Sequence, residues 1–229
     1  MHEGVVTPRH RVARARSRLP GTAALRWRLP RSSSAVVLTF DDGPDPTATP
    51  ALLNVLSRHG VQATFFVLTE FSRRCVGTLL DAAAAGHEIG LHGDVHEILA
   101  GLPRRQSERR LIGARRFLED SLQRPVAMYR PPEGVTSLAL LRAARAAGLD
   151  VVLWSRDPRD WDEGSSRPLT GRLARCIETG EIVLLHDGGG GPGGDRDSTA
   201  AALGAVLPAA IARGLTFRSL AEAVAPARP

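Results

Sequence analysis

The sequence predicts an α/β domain built on a parallel sheet, and three features predict it. Short apolar, β-branched runs alternate with Ala/Leu-rich helical stretches from Ser34 onward. Most helical stretches stop at a glycine (Gly60, Gly86, Gly148, Gly180, Gly214), the usual signal of a helix C-terminus. Polar clusters follow the strand-like runs directly, where parallel α/β proteins place their sites.

The strand-like runs lie at 35–40, 63–67, 88–91, 126–129, 151–154 and 182–185, with a short final one at 215–217. Helices are predicted between them at 48–59, 76–85, 103–121, 137–147, 168–179 and 198–213. Pro103 suits the first turn of its helix. This repetition implies crossover helices over a parallel sheet. Continuous apolar strands fit a sheet covered on both faces or closed into a barrel, and periodicity leaves both open. Residues 1–33 carry Arg, Pro and Ser without sustained periodicity and read as a mobile Arg-rich arm, which places the domain at 34–225. Residues 188–194 read as a glycine-rich loop lacking the Lys and spacing of a phosphate cradle.

With 229 residues the chain can bury one sizeable core and is short for two. All 30 basic residues are Arg, for a formal charge of +6. Alongside abundant Ala and Gly, this reads as compositional bias more than as a basic surface made for a partner. The arm concentrates the excess, with Arg9, Arg11, Arg14, Arg16, Arg18, Arg26, Arg28 and Arg31 against Glu3 alone. Such an arm can touch anionic polymers. Its one aromatic is Trp27, so nucleic acid is not an expected partner. Cys75 and Cys176 give neither a disulfide framework nor a Cys-x-x-Cys metal signal. No run approaches the ~18 apolar residues of a membrane span, nor the apolar core of about 7–15 residues of a secretory signal. As written, the sequence predicts a cytoplasmic monomer, and a secreted protein if the true N-terminus is missing.

Five polar clusters stand at consecutive strand ends. Asp41-Asp42-Gly43-Pro44 follow the first strand; adjacent carboxylates there point in different directions, so one can bind a metal while the other faces substrate. Taken alone, the same string reads as a turn with two solvated acids. His92 and His96 follow the third strand at a spacing common among zinc ligands, or are two surface histidines. Arg130-Pro131-Pro132-Glu133-Gly134 form a rigid loop in which Arg130 can hold a carboxylate. Asp157, Asp160 and Trp161 follow the next strand, and His186-Asp187 the last, where a His beside an Asp suggests an oriented acid–base catalyst. The conjunction decides: one Asp and two His make a three-ligand site with an open position, as catalytic zinc requires. No Gly-x-Ser-x-Gly string is present, which disfavours a serine hydrolase.

From Ser34 to Val224 the sequence closely resembles the polysaccharide deacetylases of carbohydrate esterase family 4, with all five motifs in order. They are Thr39-Phe40-Asp41-Asp42-Gly43-Pro44, His92-x-x-x-His96, Arg130-Pro131-Pro132-x-Gly134, Asp157-x-x-Asp160-Trp161 and Leu184-x-His186. The resemblance implies a distorted (β/α)7-type barrel and one divalent metal, expected to be Zn2+, held by Asp42, His92 and His96. It implies Asp41 as general base held by Arg130, and His186 as general acid oriented by Asp157, with Asp160 as the rival partner. It also implies an acetyl-methyl pocket lined by Leu184 and an oxyanion-binding N–H at Glu133, with Pro131 and Trp161 as further substrate contacts. Two departures stand out. Gly93 replaces the usual Ser or Thr, which predicts a looser metal loop. Glu133 replaces a frequent aromatic, which removes a wall for a sugar ring and places an anion there. The activity implied is removal of N-acetyl groups from amino sugars in peptidoglycan, chitin-like oligomers or a smaller glycoconjugate. The rivals are a metal hydrolase acting on an O-acetyl ester, N-formyl group or other amide, and a silent glycan-binding module, which the intact ligand set disfavours.

Overall fold

The computed structural model describes residues 24–29, 33–162, 164–165, 167–188 and 196–225. Its strands are β1 (Leu25–Arg26), β2 (Ala35–Asp41), β3 (Thr64–Leu68), β4 (Glu88–Gly93), β5 (Met128–Tyr129), β6 (Asp150–Val152), β7 (Ile182–His186) and β8 (Thr216–Phe217). All pair in parallel in the order β1-β6-β5-β4-β3-β2-β7, with β8 beside the start of β2. Beyond β6 the chain runs on to Arg156, which bridges Val183 of β7. There the Leu184 N–H donates to the Arg156 carbonyl at 2.9 Å. The sheet thus curls into the distorted (β/α) barrel that the resemblance implies.

The helices are α1 (Ala48–Arg58), α2 (Thr69–Arg74), α3 (Val76–Ala84), α4 (Arg104–Leu122), α5 (Leu138–Ala146), α6 (Leu169–Cys176), α7 (Asp197–Ala212) and α8 (Leu220–Val224). The six longer ones match those predicted to within a few residues. Sequence periodicity missed α2 and α8, each under two turns. The short α8 is held by a capping box between Ser219 and Glu222. No helix among the described residues is long and apolar enough to cross a membrane.

Strand alternation carries the polar chemistry upward. Along β2, Val36, Leu38 and Phe40 face the outer helix layer, and Phe40 stacks on Phe65 with ring centroids 4.9 Å apart. Ala35 and Val37 face the barrel interior with Phe66, Val152, Ile182 and Leu220. The period of two puts Thr39 and Asp41 on that same inner face. The interior is therefore apolar at the bottom and polar at the top.

One expectation needs correction. The arm read over 1–33 is not mobile throughout: Leu25 and Arg26 pair with Val151 and Val152, and Leu25 and Leu29 are buried. Arg28 pairs with Glu181, whose side chain is buried. A two-residue strand in Arg-rich surroundings shows no alternation, so the signal was absent. Residues 1–23 and 30–32 of that arm lie outside the described residues, as do 189–195 of the glycine-rich loop. Leu25→Ala is expected to cost about 2 kcal/mol and lower Tm by about 4–8 °C in a thermal melt. An unchanged Tm would show that the edge strand adds no stability.

Candidate active site

Asp42, His92 and His96 meet above the barrel, with one ligand-type atom from each lying within 4.8 Å of the others. His92 and His96 turn their Nε2 atoms toward Asp42 Oδ1, at 3.3 and 3.7 Å. The Arg130 carbonyl lies 2.8 Å from His92 Nδ1. A carbonyl only accepts, so Nδ1 carries the proton and the Nε2 lone pair faces Asp42. Asp42 Oδ1 is buried and makes no hydrogen bond. Burial pushes the Asp42 carboxyl up, and His92, His186 and His96, when protonated, outweigh it and hold the group below the usual carboxylate range. An orphaned carboxylate oxygen between two imidazole nitrogens is what a divalent cation would complete, so the donor set fits the metal.

Asp41 pairs with Arg130 at 2.8 Å, and both are buried. The Arg130 guanidinium also donates to Thr39 Oγ1 at 2.6 Å and to the Leu153 carbonyl at 3.1 Å, and lies over the Phe66 ring. Burial lowers its pKa and Asp41 opposes that. Asp41 is thereby held at a fixed angle beside the candidate cation site.

His186 donates from Nδ1 to Asp160 Oδ1 at 2.7 Å. The other Asp160 oxygen accepts from the His186 backbone N–H at 2.9 Å and from Thr199 Oγ1 at 3.1 Å. Burial lowers the His186 pKa, and Asp160, then Asp41 and Asp42, more than reverse this to about 9. The sequence reading named Asp157 as the orienting acid, and the geometry corrects it to Asp160. Asp157 instead accepts from the Arg159 N–H at 2.7 Å and caps its own loop at the cavity rim. Arg159 there takes a left-handed φ of 55°. That turn carries Asp160 inward.

Sequence reading also missed two braces. Asp187, wholly buried, accepts from Gly43 N at 3.1 Å and from Thr49 Oγ1 at 2.7 Å. Burial, with Asp42 and Asp41 nearby, raises its pKa to about 7. A Cβ on Gly43 would lie 2.1 Å from Asp187 Oδ2, and one on Gly188 would lie 2.2 Å from the Asp42 carbonyl. The β2 and β7 ends thus touch backbone to backbone, which positions Asp42 next to His186. Gly43→Ala is expected to weaken metal affinity by about 10–100-fold, as loss of supporting contacts around a metal typically does. A competition titration with a chelating dye reads it, and wild-type affinity would discount the brace. The second brace answers the looser loop expected from Gly93. That residue has φ 157°, and a Cβ there would meet the Val95 carbonyl at 2.8 Å. A Ser or Thr side chain does not fit this conformation. Asp94 holds the loop instead, through Thr69 and through Arg73 at 2.7 Å.

These groups open on one cavity of about 360 Å³, walled by Asp41, Asp42, His92, His96 and His186 together with Leu184, Glu133, Trp154, Trp161 and Arg196. Pro131 is buried and opens the turn that presents Glu133. Trp154 and Arg196 were not foreseen as wall residues. The arrangement gathers a buried carboxylate, a hydrogen-bonded imidazole and a candidate cation site in one cavity, groups that together can serve hydrolysis.

Residues 28–152 match the family model of polysaccharide deacetylase. The chain is 34% identical over 209 residues to a Bacillus cereus peptidoglycan-N-acetylglucosamine deacetylase, covering 90% of this chain and 96% of that protein. It is 36% identical over 204 residues to a Sinorhizobium fredii chitooligosaccharide deacetylase, covering 85% and 95%. Its fold is similar to the crystal structure of the Bc1960 peptidoglycan N-acetylglucosamine deacetylase in complex with a naphthyl N-oxidanyl-benzamide. The TM-score is 0.81 at 30% identity, over 88% of this chain and 93% of that one.

Proposed function

The chain belongs to the polysaccharide deacetylase family, and from that premise we infer that it hydrolyses the N-acetyl groups of N-acetylglucosamine residues in a cell-wall or chitin-like glycan. It is a hydrolase of carbohydrate esterase family 4, in which metal dependence is general. The observation that carries the assignment to this chain is the Asp42–His92–His96 cluster, flanked in one cavity by the Asp41–Arg130 and His186–Asp160 pairs.

We assign Asp42, His92 and His96 as the holders of one Zn2+, since two imidazoles and a carboxylate suit that ion. When bound there, it supplies Lewis acidity to the reacting oxygens. Asp41 takes the proton from the attacking water, and Arg130 keeps that carboxylate aimed. The Glu133 N–H donates to the amide oxygen as charge develops on it. Leu184 gives the acetyl methyl an apolar wall, and Trp161, exposed at the rim, offers a flat face for a sugar ring. His186 delivers a proton from Nε2 to the departing nitrogen, because an amine anion leaves poorly. Asp160 holds the imidazole in the tautomer that this requires.

The test is acetate release from N-acetylglucosamine oligomers, chitin fragments and peptidoglycan, with and without chelator, against O-acetylated xylan as the ester control. Acetate from the N-acetylated glycans that chelator abolishes and zinc restores supports the reading. Acetate from the ester alone would overturn it.

A further inference from the structure

Asp187 follows His186 in the chain but does not line the cavity, and it lies wholly buried behind the cavity wall. No step of the chemistry above uses it. Its contacts fall on both sides of one residue, Asp42. The Asp187 backbone N–H donates to the Asp41 carbonyl at 3.0 Å, and its carboxylate accepts from the Gly43 N–H at 3.1 Å. Gly188, the next residue, lies so close that a Cβ on it would stand 2.2 Å from the Asp42 carbonyl. The second carboxylate oxygen of Asp187 accepts from Thr49 Oγ1 at 2.7 Å, and that hydroxyl oxygen accepts from the Asp45 N–H at 2.8 Å. The end of β7 therefore grips the chain before Asp42, after it, and again at the start of α1.

The gripped residue has a strained backbone. Asp42 takes a left-handed φ of 77°, a conformation with a steric cost for any residue that carries a Cβ. Such a conformation persists only where its surroundings over-determine it. At Asp42 the chain leaves the ladder of β2, so the buried Gly43 N–H needs an acceptor from elsewhere, and Asp187 supplies it. Relaxation of Asp42 to an ordinary φ would swing its Oδ1 away from the two imidazole nitrogens that it faces at 3.3 and 3.7 Å. We propose that Asp187 is a positioning residue for the cation site: it acts through the Asp42 backbone and sets how tightly Asp42, His92 and His96 hold a divalent ion. The inference rests on the metal assignment under the deacetylase reading. What the grip requires at position 187 is an acceptor for Gly43 and a partner for Thr49. Asn supplies both, since its oxygen accepts from the Gly43 N–H and its NH2 donates to Thr49 Oγ1.

The test is the zinc affinity of the full chain, read by competition with a chelating dye at a temperature well below Tm. Asp187→Ala is expected to weaken zinc binding by about 10–100-fold, the scale of a lost supporting contact around a metal. Asp187→Asn should keep most of the affinity. Thr49→Val leaves Asp187 on Gly43 alone and should fall between wild type and Asp187→Ala; it carries the test if Asp187→Ala does not fold. A residue that only supports the fold lowers Tm and leaves the affinity of the folded chain unchanged, so wild-type affinity in Asp187→Ala or in Thr49→Val overturns the proposal. Asp187→Asn as weak as Asp187→Ala also overturns it, because the charge and not the grip would then matter. Turnover gives a second readout. Acting on the cation side, Asp187→Ala should lose amide and activated-ester hydrolysis in the same proportion, and a loss confined to the amide would place Asp187 with His186 and overturn the proposal. Zinc held by no form of the chain, wild type included, would overturn the metal assignment and this inference with it. Zinc held equally by wild type and Asp187→Ala overturns this inference alone.

Discussion

His186→Ala is expected to lose most amide hydrolysis, by about 10²–10⁴-fold, with metal content unchanged. An activated ester, whose leaving group needs little protonation, should lose much less. Equal damage to amide and ester would remove His186 from the role of acid. The partner is tested by pH. The working form of His186 is protonated, so activity persists below its folded pKa and falls as pH rises through it. Asp160 is the main group that raises that pKa, so Asp160→Asn should move the alkaline limb of kcat/KM to lower pH. Asp157→Asn should move it far less. In the metal-free chain, the His186 ring should titrate near pH 9 by NMR. The same shift stabilises the fold fully below about pH 6.5, and that contribution fades as pH rises through about 9. A limb that answers to Asp157→Asn and not to Asp160→Asn would restore the partner that the motif suggested.

The two carboxylates at the end of β2 should separate cleanly. Asp42→Asn is expected to lose metal and activity together, because it removes one of three ligands. Asp41→Asn should retain metal by elemental analysis and lose about 10²–10⁴-fold in kcat, since only the base is gone. It should also lower Tm, because the wholly buried Arg130 loses its counter-charge. Breaking such a pair costs about 3–5 kcal/mol, toward the lower end here since Asn keeps an acceptor oxygen. Full activity in Asp41→Asn, or retained metal in Asp42→Asn, would undo this division of roles.

Much of this was legible because β2, β4 and β7 are long, apolar and bounded by polar residues that sit next to one another in sequence. Asp41, Asp42, His92 and His186 each lie at a strand end, where the backbone direction is fixed. Asp157 and Asp160 lie on a loop, where no period tells which of two acids points inward. That was decided by the left-handed turn at Arg159 and by the self-capping of Asp157. Gly93 read as the loss of a hydroxyl, whereas its backbone conformation is what excludes one. Leu25 and Arg196 carried no signal, since a two-residue strand and a lone arginine after a run of glycines look like any other Arg-rich surface.

The barrel is closed by a short seam, in which the Ser155 and Arg156 N–H groups donate to the Ile182 carbonyl and the Leu184 N–H to the Arg156 carbonyl, whereas β2 and β7 share five residue pairs. A seam this short is where local unfolding is cheapest, and amide exchange at Leu184 should outpace that at Leu38 and Phe40 in the middle of β2. The chain leaving the seam carries Asp160 and Trp161. Breathing at that join is therefore expected to move Asp160, the partner of His186, together with the Trp161 wall, while the cation site hangs on the ends of β2 and β4 within the continuous sheet. Local opening is thus expected to loosen the proton-donor side of the cavity before the cation side.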